Sequence, residues 1–268
     1  MNIETFIEQL WKSYQDVTPQ ASAIYNFFVE NGERVINDHV AFRTFNQSPV
    51  NLDGIREILE QFGYQCDESY LFAEKKLRAF SFLPPHQQQP LIFVSELLTE
   101  QLSEKSQDII NRFVTQIPSE ITNSPEVLSA GLLWKAPTWE QYKILRAESE
   151  YAAWLSTMGM RPNHFTVSVN HLVKVEEIGD VLTAIRMSGF KLNNTGGMVK
   201  GSPSLFLEQG STMADMIEFD FGNGERHTIP TCFYEFAKRY KNKKQELFMG
   251  FIKESANLIF ESTGSSSI

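Results

Sequence analysis

The chain has 268 residues, enough for one large domain or two small ones at about 150 residues per domain. Hydrophobic residues make up 42% and charged residues 21%, which excludes wholesale disorder. Lys and Arg number 24 against 33 Asp and Glu, a formal charge of −9 with no basic block, so nucleic acid is not an expected partner.

In chain order, residues 3–31 carry apolar side chains at three- and four-residue spacing (Phe6, Leu10, Tyr14, then Ile24, Phe27, Phe28), which predicts helix up to Gly32. Residues 38–45 predict a strand. Residues 51–63 predict a helix with Ile55, Ile58, Leu59 and Phe62 on one face and Gly63 as its stop. Short strands follow at 70–73, 78–83 and 91–94, with a Pro- and Gln-rich loop at 84–90. Residues 97–117 and 138–158 are helical by period. A strand at 163–170, a helix at 175–188 closed by Gly189, and strands at 204–209, 215–221 and 232–237 complete the pattern, with Asn223-Gly224 as a hairpin signal between the last two. Residues 238–260 are expected to be helical, and the Ser- and Gly-rich end from Ser262 to Ile268 to fray.

The N-terminus has no basic and apolar signal-peptide pattern, and no stretch approaches 18 apolar residues, so a membrane is not an expected partner. Cys66 and Cys232 form no CxxC pair and fit a reducing cytoplasm.

An internal repeat organises the chain. His39 precedes Gly63 by 24 residues, and His164 precedes Gly189 by 25. Each copy runs strand, helix, Gly stop and three short strands, or βαβββ. A single domain over 1–268 is therefore expected. Its parts are N-terminal helices at 1–35, a first module at 36–96, a helical insert at 97–160, a second module at 161–240, and a C-terminal helix and tail at 241–268.

Strand side chains alternate between faces. His39, Ala41 and Arg43 share one face of the first strand, and His164, Thr166, Ser168 and Asn170 share one face of the other. A row of polar and small groups suits the wall of a cavity holding water, a metal or a polar ligand. His86, His171 and His227 lie in loop or turn context and are expected to be solvated. Two histidines and a carboxylate would form a facial triad with open positions. The carboxylate candidates are Glu96, Glu208, Glu218, Asp220 and Glu235, with Glu235 slightly ahead of Glu218 and its first-module counterpart placed near Glu96. Arg43, about 13 Å along the strand from His39, suits either a two-pronged grip on a substrate carboxylate or an internal ion pair. There is no P-loop, nucleophile elbow or dinucleotide fingerprint.

Five segments together resemble the DUF1338 family: His39–Arg43 (HVAFR), Phe93–Glu96 (FVSE), Ser149–Trp154 (SEYAAW), Asn163–Thr166 (NHFT) and Phe233–Arg239 (FYEFAKR). That family includes the 2-oxoadipate dioxygenase/decarboxylases of lysine catabolism. It is similar to the vicinal oxygen chelate superfamily, whose paired βαβββ modules match the repeat. The resemblance implies an α+β fold in which the modules form an open half-barrel. It implies Fe(II) on His39, His164 and Glu235, and Arg43 on the substrate carboxylate. It also implies conversion of 2-oxoadipate and O2 to 2-hydroxyglutarate and CO2 without an organic cofactor. The longer family members have a C-terminal region with no counterpart in this chain. The rival expectations are a metal-dependent isomerase, lyase or hydrolase on the same scaffold, and a ligand-sequestering protein without turnover.

Overall fold

Two helices open the chain where the periodicity predicts one. The first, α1 (Ile3–Gln15), is capped by the Asn2 side chain, and α2 restarts at Pro19 (Pro19–Glu30). Pro19 can begin a helix, but it cannot donate the backbone bond that would continue one. The computed structural model describes residues 1–264.

The first half of the sheet follows: β1 (Asn37–Phe45), the crossover helix α3 (Leu52–Glu60), β2 (Gln65–Phe72), β3 (Leu77–Leu83) and β4 (Leu91–Leu97). The insert carries α4 (Glu104–Val114), α5 (Trp139–Glu148) and α6 (Glu150–Met158). The expected helix at 138–158 is thus broken at Ser149, which ends α5 in extended backbone and caps α6 with its side chain. The second half is β5 (Pro162–Ser168), α7 (Ile178–Met187), β6 (Lys200–Ser202), β7 (Leu207–Ser211), then β8 (Met216–Asp220), β9 (Arg226–Pro230), β10 (Phe233–Arg239) and a short α8 (Lys253–Ile259). Gly63 and Gly189, just past the two crossover helices, have φ of +84° and +93°, where a side chain would be strained.

Eight strands form one sheet in the order β2-β3-β4-β1-β5-β10-β7-β6. Within each half the last strand of the unit pairs in parallel with its first strand, β4 with β1 and β10 with β5; the halves meet at the antiparallel β1–β5 seam. The second half departs from expectation in three places. The strand predicted at 204–209 begins at Leu207, after a short turn whose Phe206 has φ +64°. Its neighbour β6 is three residues long and carries no periodic signal. The strand predicted at 215–221 leaves the main sheet: β8 pairs with β9 across Asn223-Gly224, making a separate hairpin, while β10 returns to the sheet. The predicted C-terminal helix is only the seven residues of α8, because β10 runs on to Arg239 and turns follow. Ser262 and Thr263, expected to fray, are buried; residues 265–268 lie outside the described part.

Four helices cover one face of the sheet. Trp11 of α1 meets Phe165 of β5 edge-on at 4.9 Å, Phe28 of α2 meets Phe236 of β10, and α3 and α7 pack beneath their own halves. The opposite face is curled: α8, only about 10 Å long, touches β2 in one half and β6 and β7 in the other. This is the α+β half-barrel of paired modules that the resemblance implies. No helix among the described residues is long and apolar enough to cross a membrane, and both cysteines are free.

Candidate metal centre

Three neighbouring strands bring the site together. His39 on β1 faces Thr166 on β5, and Thr166 faces Glu235 on β10, so His39 and Glu235 lie in one cross-sheet row. His164 is two residues before Thr166, on the same side of β5. The ligand atoms of His39, His164 and Glu235 all lie within 4.8 Å of one another. Nε2 of His39 is 3.5 Å from Glu235 Oε1, and Nε2 of His164 is 3.3 Å from Oε2. The two imidazole rings are 5.5 Å apart at 84°.

The outer nitrogens orient the rings. His39 Nδ1 lies 2.7 Å from Asp38 Oδ1, and Arg239 grips both Asp38 oxygens through Nε and Nη2 at 2.8 and 2.9 Å. The remaining Arg239 nitrogen donates to the carbonyls of Phe248 and Gly250. Burial opposes ionisation of Asp38, but Arg239 and His39 outweigh it and hold the carboxyl well below its usual range. An ionised Asp38 accepts a proton-bearing Nδ1, which leaves the Nε2 lone pair of His39 facing inward. Burial, then His39 and Arg43, push the His164 pKa well down, so this imidazole is neutral and able to ligate.

Glu235 is fully buried. Gln209 of β7 donates to its Oε1 at 2.7 Å, while Oε2 has no hydrogen-bond partner. Burial raises its pKa, with His39 and the Gln209 bond opposing. A buried carboxylate oxygen without a partner is costly, and a cation shared with two imidazoles would satisfy it. The donor set, two imidazole nitrogens and one carboxylate oxygen, fits a divalent transition metal with open positions.

The other carboxylates serve elsewhere. Glu96, fully buried, accepts from the Leu52 backbone at the start of α3 and ion-pairs with Arg78. It is not the counterpart of Glu235: with the histidines as reference, His39 faces Leu91 and Ala41 faces Phe93, so Phe93 takes that position. Glu218 and Asp220 are exposed on the outer hairpin, bonded to Thr228 and Arg226. Glu208 accepts from Tyr240.

Arg43 is 2% exposed and makes no ion pair among the described residues. Its guanidinium lies 4.9 Å from the ring centres of Tyr151 and Trp154, Nη2 donates to Thr263 Oγ1 at 3.1 Å, and Nε and Nη1 lack partners. Burial lowers its pKa to about 10, which leaves it cationic near neutrality. Asp38, Gln209 and the aromatic shelf of Tyr151 and Trp154 carry no site signal in the strand pattern, although Tyr151, Trp154 and Arg239 fall within the segments that resemble the family.

Residues 3–128 and 125–262 match the family described as 2-oxoadipate dioxygenase/decarboxylase. The chain is 34% identical to a 2-oxoadipate dioxygenase/decarboxylase of Oryza sativa subsp. japonica, over 97% of this chain and 78% of that protein. It superposes on the crystal structure of hydroxyglutarate synthase from Oryza sativa in complex with 2-oxoadipate with a TM-score of 0.91. That match is 34% identical and covers 97% of this chain and 91% of the other. A protein of Shewanella frigidimarina provisionally named a hydrolase matches with a TM-score of 0.89 and 41% identity, over 94% of this chain and 98% of its own. The chain belongs to the 2-oxoadipate dioxygenase/decarboxylase family.

Proposed function

We propose that this protein is an Fe(II)-dependent dioxygenase/decarboxylase that converts 2-oxoadipate and O2 into 2-hydroxyglutarate and CO2, with His39, His164 and Glu235 as the metal ligands. The observation that carries the reading is the pairing of that buried triad with a buried arginine on the strand of His39, two of whose guanidinium nitrogens lack partners. The atoms balance, since both oxygens of O2 end in the products.

The chemistry that Fe(II) would supply here is electron transfer to O2 and polarisation of the 2-oxo acid. The protein's own part is positional. Asp38 and Arg239 fix the His39 ring, and Gln209 ties one oxygen of Glu235 so that the other is free to ligate. Arg43 offers unpaired donors to the substrate's distal carboxylate, and its flat flanking rings hold the guanidinium in place. Phe93, Phe251 and Phe260 give the cavity an apolar wall.

The test is O2 consumption by anaerobically purified, Fe(II)-loaded protein across a panel of 2-oxo acids. Uptake should be greatest with dicarboxylates and accompanied by CO2. Arg43→Lys keeps the charge but loses the planar fork, so it should retain the metal and lose kcat/KM for 2-oxoadipate by 10-fold or more relative to a monocarboxylic analogue. An unchanged ratio would show that Arg43 does not read the distal group. The Shewanella protein's name points to hydrolysis as the second reading; turnover without O2 would favour it.

A further inference from the structure

Two spaces meet at Arg43. The metal-site cavity, about 30 Å³, has room for roughly two waters. A recess of about 220 Å³ lies beyond it, lined by Tyr151 and Thr263, with Lys75 and Lys76 set against four glutamates. Arg43 and Phe260 line both spaces. A six-carbon dicarboxylate with its 2-oxo end at the triad and its far carboxylate at Arg43 does not fit the inner cavity alone. Its tail has to run into the junction where Phe260 stands.

The backbone carrying Phe260 is pinned on both sides. Asn193 Nδ2 donates to the Leu258 carbonyl at 3.0 Å and to Ser262 Oγ at 2.9 Å, Ser211 bonds Ser262 at 2.8 Å, and Arg43 holds Thr263. The Ala214 backbone also donates to the Ser262 carbonyl at 2.9 Å. The ring itself is held only by packing. It meets Phe72 edge-on at 5.4 Å, lies 5.9 Å from the Arg43 guanidinium, and is partly exposed. The strap is therefore fixed, and the ring is the part that can yield.

We infer that Phe260 is a specificity-determining residue: its ring closes the inner cavity from the outer recess and limits the chain length of the 2-oxo dicarboxylate that is accepted. The inference rests on the reading of the site as one for 2-oxo dicarboxylates. Each methylene beyond the accepted length must displace more of an aromatic ring carried on an anchored backbone, whereas a smaller side chain would join the two spaces.

The experiment compares wild type, Phe260→Leu and Phe260→Ala on unbranched 2-oxo dicarboxylates of five, six and seven carbons. Two quantities are read: kcat/KM with Fe(II), and the ligand-induced rise in Tm. The ratio of seven-carbon to six-carbon kcat/KM should rise in the order Phe, Leu, Ala, by about 10-fold or more for Ala, the scale of one methylene in an apolar pocket. The Tm rise should follow the same order. Simple damage to the fold would lower all three substrates together and leave the ratio unchanged. A ratio and a Tm pattern that do not change with the side chain overturn the inference; the leucine variant decides if the alanine variant does not fold. If wild type turns over none of the acids, the proposed function fails. The Tm pattern then still judges Phe260: a selective gain for longer acids supports it, and no gain rejects it.

Discussion

Glu235 shows how much one buried oxygen can decide. Its Oε1 is bonded to Gln209 and its Oε2 accepts no hydrogen bond, so removing the carboxylate removes a charged ligand without freeing a substitute. Glu235→Ala should lower divalent-metal affinity by at least about 100-fold and abolish turnover. Glu235→Gln should bind metal more weakly than wild type, and Glu218→Ala should match wild type, since Glu218 lies on an exposed hairpin. Metal content after loading at a fixed concentration separates them; a metal-free Glu218→Ala beside a replete Glu235→Ala would reverse the assignment. Asp38→Asn keeps the shape but weakens the acceptor for His39 Nδ1 and strips Arg239 of its counter-charge. Metal affinity should then fall about 10- to 100-fold, measured by competition with a chelating indicator; unchanged affinity would mean that packing alone orients His39. The sequence made His39, His164 and Arg43 visible through strand alternation and repeat position. It hid Asp38, because adjacent strand residues point to opposite faces and their contact depends on Arg239 reaching across from 201 positions away.

At the scale of elements, a parallel pairing decides which carboxylate serves the cavity and which serves the scaffold. Glu96 stands one strand over from the site, yet its side chain holds the first turn of α3 and Arg78. Glu96→Ala leaves the Leu52 N–H without that acceptor and should destabilise the fold by roughly 1–3 kcal/mol. Metal affinity should not change. Denaturant unfolding and metal titration on the same sample check both halves; a loss of metal with intact stability would place Glu96 in the centre after all. Counting along the chain put the first-module counterpart near Glu96, whereas register puts Phe93 there, because two strands of unequal approach cannot be aligned by counting alone. Most helices and the two crossovers were legible because they bury one face and so repeat at a fixed period; β1 and β4, buried on both faces, were legible as short apolar runs, whereas β2, almost wholly exposed, showed only its end at 70–73 of Gln65–Phe72. The three-residue β6 and the departure of β8 were not. Residues that short carry no period, and the choice between joining a sheet and pairing locally is made by tertiary contacts such as Trp139 stacked on His227.

For the whole molecule, the site ties together parts of the fold that are remote in sequence. A metal held by both halves binds the folded state and not the open chain, so loading at a hundredfold excess over Kd should stabilise the protein by about 2.7 kcal/mol. Tm should rise by several degrees, and a chelator should reverse the rise; a Tm indifferent to both would remove the metal from the centre. The seam between β1 and β5 also has a consequence for biosynthesis. His39 and His164 are 125 positions apart and Glu235 comes 71 later, so a ribosome releases the last donor long after the first. Under the proposed function, a nascent or truncated chain would lack the complete donor set for a redox-active ion, and only a finished molecule would meet oxygen with the ion in place.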